Sequence, residues 1–343
     1  MEAWFLREWQ RTSPWQILLR PVSWVFALLA GVRRWLYRSG WLERERIDVP
    51  VIVVGNITVG GTGKTPLVLA LASLLARGGY HPGIVTRGYR RGRQADAERF
   101  IIHVVPASSG EPASDEATLL ANRSGVPVYA GAYRPDVARI LLKANAGVDV
   151  IISDDGLQHH ALQRDLEICV IDGERGLGNG ALLPAGPLRE PRSRLFAVDA
   201  IVVNGGDTGA FQLPSVPVFQ MALANELFIP VMGGREMSTT EWNTKFAGKK
   251  IVAVAGTGNP ARFFTHIKTL GVDAGETRAF PDHYPFTAGD FAAMTADVIL
   301  MTEKDAVKCR VFADDRMWFM RVDAVLPDAF GQLVLTRLSR LKV

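Results

Sequence analysis

Six consecutive residues, Gly60-Gly61-Thr62-Gly63-Lys64-Thr65, carry the most specific chemistry in this sequence. Glycines let backbone N–H groups close around phosphate oxygens, and a helix beginning at Lys64 adds its positive dipole end. Lys64 would reach the β- and γ-phosphates of a nucleotide, and the Thr65 hydroxyl would ligate Mg²⁺. The nucleotide-binding set is Gly60, Gly61, Thr62, Gly63, Lys64 and Thr65, with a nucleoside phosphate and Mg²⁺ as the ligands that such a loop takes. A second group lies in Val148–Gln158, where an apolar run delivers Asp154 and Asp155 to its end. That is the Walker B arrangement, in which one carboxylate holds the metal directly or through water. The sequence leaves open which of the two does so.

Other candidates are less specific. The glycine- and proline-rich segment Gly173–Pro191 is long and irregular, the mark of a functional loop inside an α/β domain, and its Arg189-Glu190 pair can reach a phosphate and a metal. Gln158 precedes two adjacent histidines, His159 and His160, which read as loop residues. Arg87, Arg90, Arg91 and Arg93 form a basic cluster that reads equally as a solvated turn or as an anionic-substrate site. Asp115-Glu116 reads as the cap of a helix running through Arg123. His283 stands alone in the loop Phe280–Tyr284.

The elements that position these residues follow from hydrophobic spacing. Val51–Val54 is an apolar, β-branched run and reads as a buried strand. Leu67, Leu71, Leu74 and Leu75 after Lys64 have the spacing of a helix face. Strand, glycine loop, Lys-Thr and helix make a P-loop layout. The strict G-x-x-x-x-G-K-[ST] pattern is not met, because Thr58 stands five before Gly63. Expected strands at Gly83–Thr86, Ile101–Val105, Val126–Ala130, Leu166–Asp172 and Ala200–Val203 alternate with helices such as Pro135–Ala146. That alternation predicts a mainly parallel sheet with helices on both faces. A second βα unit starts at Lys249–Ala255. Its Gly256–Pro260 turn lacks a Lys-[ST] and reads as structural.

The chain has 343 residues, 48% hydrophobic and 22% charged, with a net charge of +4. This composition is globular, and so small a charge gives no reason to expect a nucleic-acid partner. Cys169 and Cys309 form no C-x-x-C pair, which points to a reducing compartment without disulfides or zinc. Residues 1–48 are different: they hold six of the eight tryptophans, punctuated by arginines. The uninterrupted apolar run Pro21–Val32 reaches roughly 18 Å, short of a ~30 Å hydrocarbon core. Trp and Arg together favour the bilayer interface, so the segment reads as an interfacial or partly inserted anchor. The expected division is an N-terminal membrane-associated segment over 1–48, a P-loop domain over 49–210, a β-rich connector over 211–245 and a second α/β lobe over 246–343.

Gly60–Thr65 resembles the GG-x-GK-[ST] variant of signal-recognition and MinD-like P-loop proteins. Read with Asp154–His159, Leu183–Glu190, Asp282-His283-Tyr284 and Thr302–Ala306, the whole chain resembles the tetraacyldisaccharide 4'-kinase (lipid A 4'-kinase) family of Gram-negative bacteria. The resemblance implies ATP- and Mg²⁺-dependent phosphorylation of the 4'-hydroxyl of a tetraacylated glucosamine disaccharide 1-phosphate, a lipid substrate. It implies action at the cytoplasmic face of the inner membrane, and two α/β lobes of which the second has no P-loop. It also implies Asp115 as catalytic acid-base residue with His283 as its partner, alongside Lys64. The metal-associated residues are then Thr65, Asp154, Asp155, Glu116 and Glu190, and the substrate-contacting ones Arg87, Gln158 and Arg189. A MinD-like membrane-bound ATPase switch is the competing reading. Such proteins place a further Lys just before the paired glycines, and here that position is Val59.

Overall fold

The structure is a computed structural model that describes residues 8–11, 13–87, 101–105, 114–206, 208–209 and 215–341. Arg90, Arg91 and Arg93 of the basic cluster lie outside the described residues. The chain forms two compact units, one of residues 1–223 and 324–343, the other of Ala224–Asp323.

The first unit is built around β1 (Val51–Gly55), buried along its whole length. Its side chains alternate between two cores. Ile52 and Val54 pack with Leu67, Val68, Leu71 and Leu75, whereas Val51 and Val53 pack with Val137 and Leu141. Only a strand covered on both faces needs to be apolar at every position, which is why Val51–Val54 shows no polar alternation. The further strands are β2 (Pro82–Arg87), β3 (Ile101–Val104), β4 (Val128–Gly131), β5 (Val150–Asp154), β6 (Leu166–Asp172), β7 (Ala200–Asn204) and β8 (Val218–Pro230). Their order is β8-β7-β6-β1-β5-β2-β4-β3, with β3 antiparallel to β4 and the other described pairs of this unit parallel. β1 therefore ends mid-sheet, between β5 and β6, where a doubly wound sheet opens its ligand crevice.

The N-terminal helix α1 runs from Pro14 to Arg38, 25 residues or about 37 Å. It is long and apolar enough to cross a membrane. The apolar run Pro21–Val32 is thus the middle of a longer helix, which begins at Pro14 and continues through Trp35 to Arg38. One narrow stripe is held by the protein: Gln16 and Ser23 are buried, and Ser23 Oγ donates to the Leu182 carbonyl at 2.9 Å and accepts the Ala185 N–H at 3.0 Å. Trp15, Leu18, Trp24, Leu28 and Leu29 are each about 60–70% exposed. Helix α2 (Lys64–Arg77) follows the glycine loop, α3 spans Asp115–Ser124 and α4 spans Arg134–Ala144.

The second unit holds β10 (Ile251–Ala255), β11 (Glu276–Ala279), β12 (Val298–Thr302) and most of β13 (Met317–Val325), parallel in the order β11-β10-β12-β13. The short strand β9 (Met237–Ser238) pairs with the end of β8. The Gly256–Pro260 turn is structural. Asn259 caps the helix Pro260–Thr269, and the Gly256 N–H donates to buried Asp305 at 2.8 Å.

Two expected boundaries differ from those found. The chain enters the second unit inside β8, between Leu223 and Ala224, so 211–245 is not a separate connector. Trp242, assigned to it, is fully buried and stacks on Phe228 at 4.5 Å. The chain also leaves the second unit before its end. The helix Asp328–Ser339 puts Phe330, Val334 and Leu338 into the first unit's core. An amphipathic helix names its buried face but not the sheet that covers it, so sequence order alone assigned this one to the nearer lobe.

Candidate active site

The loop between β1 and α2 is shaped by its glycines. Gly60 and Gly63 have φ of 102° and 91°, in the left-handed region that glycine adopts without strain. A side chain at Gly63 would also collide with the Asn204 amide. Lys64 opens the helix with Gly63 as N-cap, and Thr65 follows it. The Lys64 ammonium lies 3.2 Å from Asn56 Oδ1 and 3.3 Å from Asp155 Oδ1. Arg189 Nη1 is 3.4 Å from both Asp155 oxygens, and its backbone N–H donates to Ile57 at 2.7 Å. Two cations thus flank one carboxylate at the mouth of the loop.

Asp154 and Asp155 are adjacent in sequence but opposite in electrostatics. Asp154 ends β5 fully buried, and its Oδ2 accepts from Thr86 at 2.9 Å. Burial pushes its carboxyl up to about 6, with the Asp155 charge adding to the effect and Lys64 opposing it. Burial works in the same direction on Asp155, but Lys64 and Arg189 outweigh it and hold that carboxyl below its ordinary range. Asp155 and His283 are two of the three non-glycine residues with positive φ among those described, at 48° and 57°. Backbone held in that region is concentrated where a side chain must be aimed.

The Asp154 shift makes a stability prediction. A folded carboxyl raised above its unfolded value disfavours the fold once pH rises above the unfolded value of 3.8, fully so above about 6. Asp154→Asn keeps an acceptor for Thr86 and removes that burden. In nucleotide-free protein it should be more stable than wild type at pH 7.5 by on the order of 2–3 kcal/mol, and equal to it near pH 4. Thermal melts at the two pH values check this, and a gap that does not close in acid would mean that the charge is not the cause.

Buried Asp154 Oδ1 has no hydrogen-bond partner among the described residues, beside a second carboxylate. Oxygen donors of this kind fit a hard divalent cation. No group of three or more His, Cys, Asp or Glu side chains converges as a metal cage among the described residues. Mg²⁺ in nucleotide sites needs none, since one or two carboxylates and the phosphates suffice.

The remaining candidates are placed as follows. Gln158 Nε2 donates to the Asn56 carbonyl at 3.0 Å and to Glu190 Oε1 at 2.7 Å. Glu190 is buried, and its other oxygen is 3.3 Å from Arg194 Nε. Both Glu190 oxygens thus have protein partners, in contrast to Asp154. Asp115 and Glu116 occupy the first turn of α3, whose cap is Ser114, accepting the Ala117 N–H. The cap expected at Asp115-Glu116 therefore sits one residue earlier, at Ser114. Glu116 is near enough to contribute to the rise of the Asp154 carboxyl. Arg87 ends β2 and is exposed.

His283 lies in the second unit, next to Asp282 and Lys304. Lys304 Nζ is 3.1 Å from Asp282 Oδ1 and 3.4 Å from His283 Nε2. His159 is a loop residue, as expected, and its ring nitrogen Nε2 accepts the Arg134 N–H at 3.2 Å. Burial first, then the Arg134 charge, lowers its imidazole to about 4. Sequence reading passed over Asn56, Thr86 and Arg134. Arg134 is buried and donates to the Asp154 carbonyl at 3.4 Å. No spacing rule marks these residues, because their partners lie 8 to 68 positions away. Cys169 and Cys309 are both buried free thiols.

Comparison with known proteins gives a consistent picture. A family model described as tetraacyldisaccharide-1-P 4'-kinase matches residues 15–339. A protein of Methylobacillus flagellatus named tetraacyldisaccharide 4'-kinase is 45% identical over 338 residues, 98% of this chain and 96% of its own. A protein of the same name from Nitrosococcus oceani is 42% identical, over 98% and 94% of the two chains. Among solved structures, LpxK from Aquifex aeolicus in complex with ATP superposes with a TM-score of 0.76 at 28% identity, covering 94% of this chain and 99% of that one.

Proposed function

This chain belongs to the tetraacyldisaccharide-1-P 4'-kinase family, and from that premise we propose how its residues divide the reaction. It is an ATP- and Mg²⁺-dependent kinase of lipid A biosynthesis, phosphorylating the 4'-hydroxyl of a tetraacylated glucosamine disaccharide 1-phosphate. The MinD-like switch gives way, since relatives matched over 98% of the chain carry the kinase name.

The observation that supports the assignment of roles is the Lys64–Asp155–Arg189 cluster at the P-loop mouth. Lys64 leaves Asp155 for the γ-phosphate, and the Gly60–Thr65 backbone cradles the chain of phosphates. Thr65, Asp154 and Asp155 would hold Mg²⁺, which would supply charge neutralisation when bound, with Glu116 and Glu190 in supporting positions. Glu190 aligns Gln158, and Arg87, Gln158 and Arg189 face the substrate. Asp115 accepts the proton of the sugar hydroxyl, and His283 takes part in the same proton transfer. A sugar hydroxyl is a poor nucleophile, so an aligned acceptor and a neutralised phosphate are what such a reaction needs.

The acyl chains stay at the cytoplasmic face of the inner membrane, next to α1. Ser23 ties that helix to the protein, and its exposed Trp and Leu side chains suit an interfacial seat better than a free span. One experiment tests both parts. Full-length protein is given γ-labelled ATP and anionic phospholipid vesicles carrying the disaccharide 1-phosphate. Label should appear on the 4'-oxygen, and the protein should float with the vesicles. Trp24→Ser, Val25→Ser, Leu28→Ser and Leu29→Ser together should abolish flotation while leaving the melting temperature near wild type. Undiminished flotation would put the membrane surface elsewhere, and unlabelled lipid would defeat the assignment.

A further inference from the structure

A phosphate loop works through the directions of its N–H groups. In a planar trans peptide the N–H points opposite to the C=O of the same unit. Whatever holds a loop carbonyl therefore aims the next residue's amide. Two consecutive carbonyls of this loop are held by side chains from the ends of β6 and β7. Asp172, buried at the end of β6, accepts the Glu174 and Arg175 N–H groups at 3.0 and 3.2 Å, fixing a tight turn. Its other oxygen takes Arg175 Nε at 2.9 Å. The far side of the same guanidinium, Nη2, donates to the Gly61 carbonyl. Asn204, buried at the end of β7, donates from Nδ2 to the Thr62 carbonyl at 3.1 Å.

These braces come from the same side of the loop, because β6 and β7 are neighbours and β6 adjoins β1. We propose that Arg175 and Asn204 are positioning residues: by holding the Gly61 and Thr62 carbonyls outward, they aim the Thr62 and Gly63 N–H groups at the nucleotide phosphates. The arrangement explains two glycines at once. A side chain at Gly60 would meet Arg175 Nη1 at 3.0 Å, and one at Gly63 would meet the Asn204 amide. It also gives the irregular Gly173–Pro191 segment a task at its beginning. Arg175 has the planar fork needed to bind a carboxylate on one edge and a carbonyl on the other, which a lysine lacks.

The proposal rests on reading Gly60–Thr65 as the ATP site, and the test separates the two. ATP affinity, and kcat and KM for both substrates, are measured on full-length wild type, Arg175→Ala, Arg175→Lys and Asn204→Ala. Arg175→Lys keeps a cation beside buried Asp172, so it remains informative if Arg175→Ala folds poorly. A charge-assisted hydrogen bond lost should weaken ATP binding and raise KM for ATP by roughly 10- to 100-fold in the Arg175 variants. The neutral one in Asn204→Ala should cost about 3- to 10-fold. KM for the lipid and kcat at saturating ATP should stay within about threefold of wild type, since preorganised amides are recovered once ATP fills the loop. Unchanged ATP affinity in both Arg175→Lys and Asn204→Ala overturns the proposal while leaving the ATP site standing. So does a fall in kcat at unchanged KM, which would mean direct contact with the transferring phosphate. Wild type that binds no ATP defeats the site itself.

Discussion

Lys64→Ala is expected to reduce phosphate transfer by about 10³-fold or more at saturating ATP, because the variant loses a fixed cation where negative charge builds up. The Lys64 ammonium now stands 3.3 Å from Asp155 and 3.2 Å from Asn56, inside a network of partners that orient it. A lysine placed this way needs little rearrangement to reach a phosphate, and electrostatic help counts only when it is positioned beforehand. The variant should fold, since its helix starts from Gly63 and is packed by Leu67, Leu71 and Leu75 rather than by Lys64. It leaves Asp155 with Arg189 as counter-charge, so some loss of thermal stability is expected. The transfer assay at saturating ATP is the check. Turnover close to wild type would remove Lys64 from the reaction.

The second large effect concerns Asp115 and His283. Each alanine variant should lower kcat by roughly 10²- to 10⁴-fold, the range for a general acid–base group. Neither should much change KM for ATP, because neither is proposed to hold the nucleotide. If the two act as one unit, the double variant should be little slower than the slower single one. The competing explanation for Asp115 is a helix-capping role worth about 1 kcal/mol of stability. Ser114 already fills that role, accepting the Ala117 N–H at 3.2 Å. His283 is held in left-handed backbone beside Asp282 and Lys304, which gives its ring a defined electrostatic neighbourhood. Measuring kcat for both singles and the double decides the matter. Logarithmic losses that add would separate the two residues into different steps.

The predictions differ in how much of their basis was visible in the chain. Val51–Val54, Gly60–Thr65 and the helix after it could be read in order, because a P-loop is a local device whose parts are adjacent. The Asp154-Asp155 pair at the end of an apolar run was equally local. The sequence determined, by itself, the class of sheet, the glycine loop between β1 and α2, the family and the unusual N-terminal helix. Each of these depends on spacing within a few turns of chain or on a pattern carried along its whole length.

Tertiary structure alone decided which of two neighbouring carboxylates is buried and which is paired with cations. Asp154 and Asp155 differ by one position on a strand end, so one side chain turns into the protein and the other toward the loop mouth. It alone showed that the helix Asp328–Ser339 returns to the first unit. It alone brought Arg175 and Asn204 to the back of the phosphate loop, 114 and 142 positions away from the carbonyls they hold. Such contacts depend on strands β6 and β7 being laid beside β1. Strand order is fixed by the packing of whole faces, which the residues near any one motif do not encode.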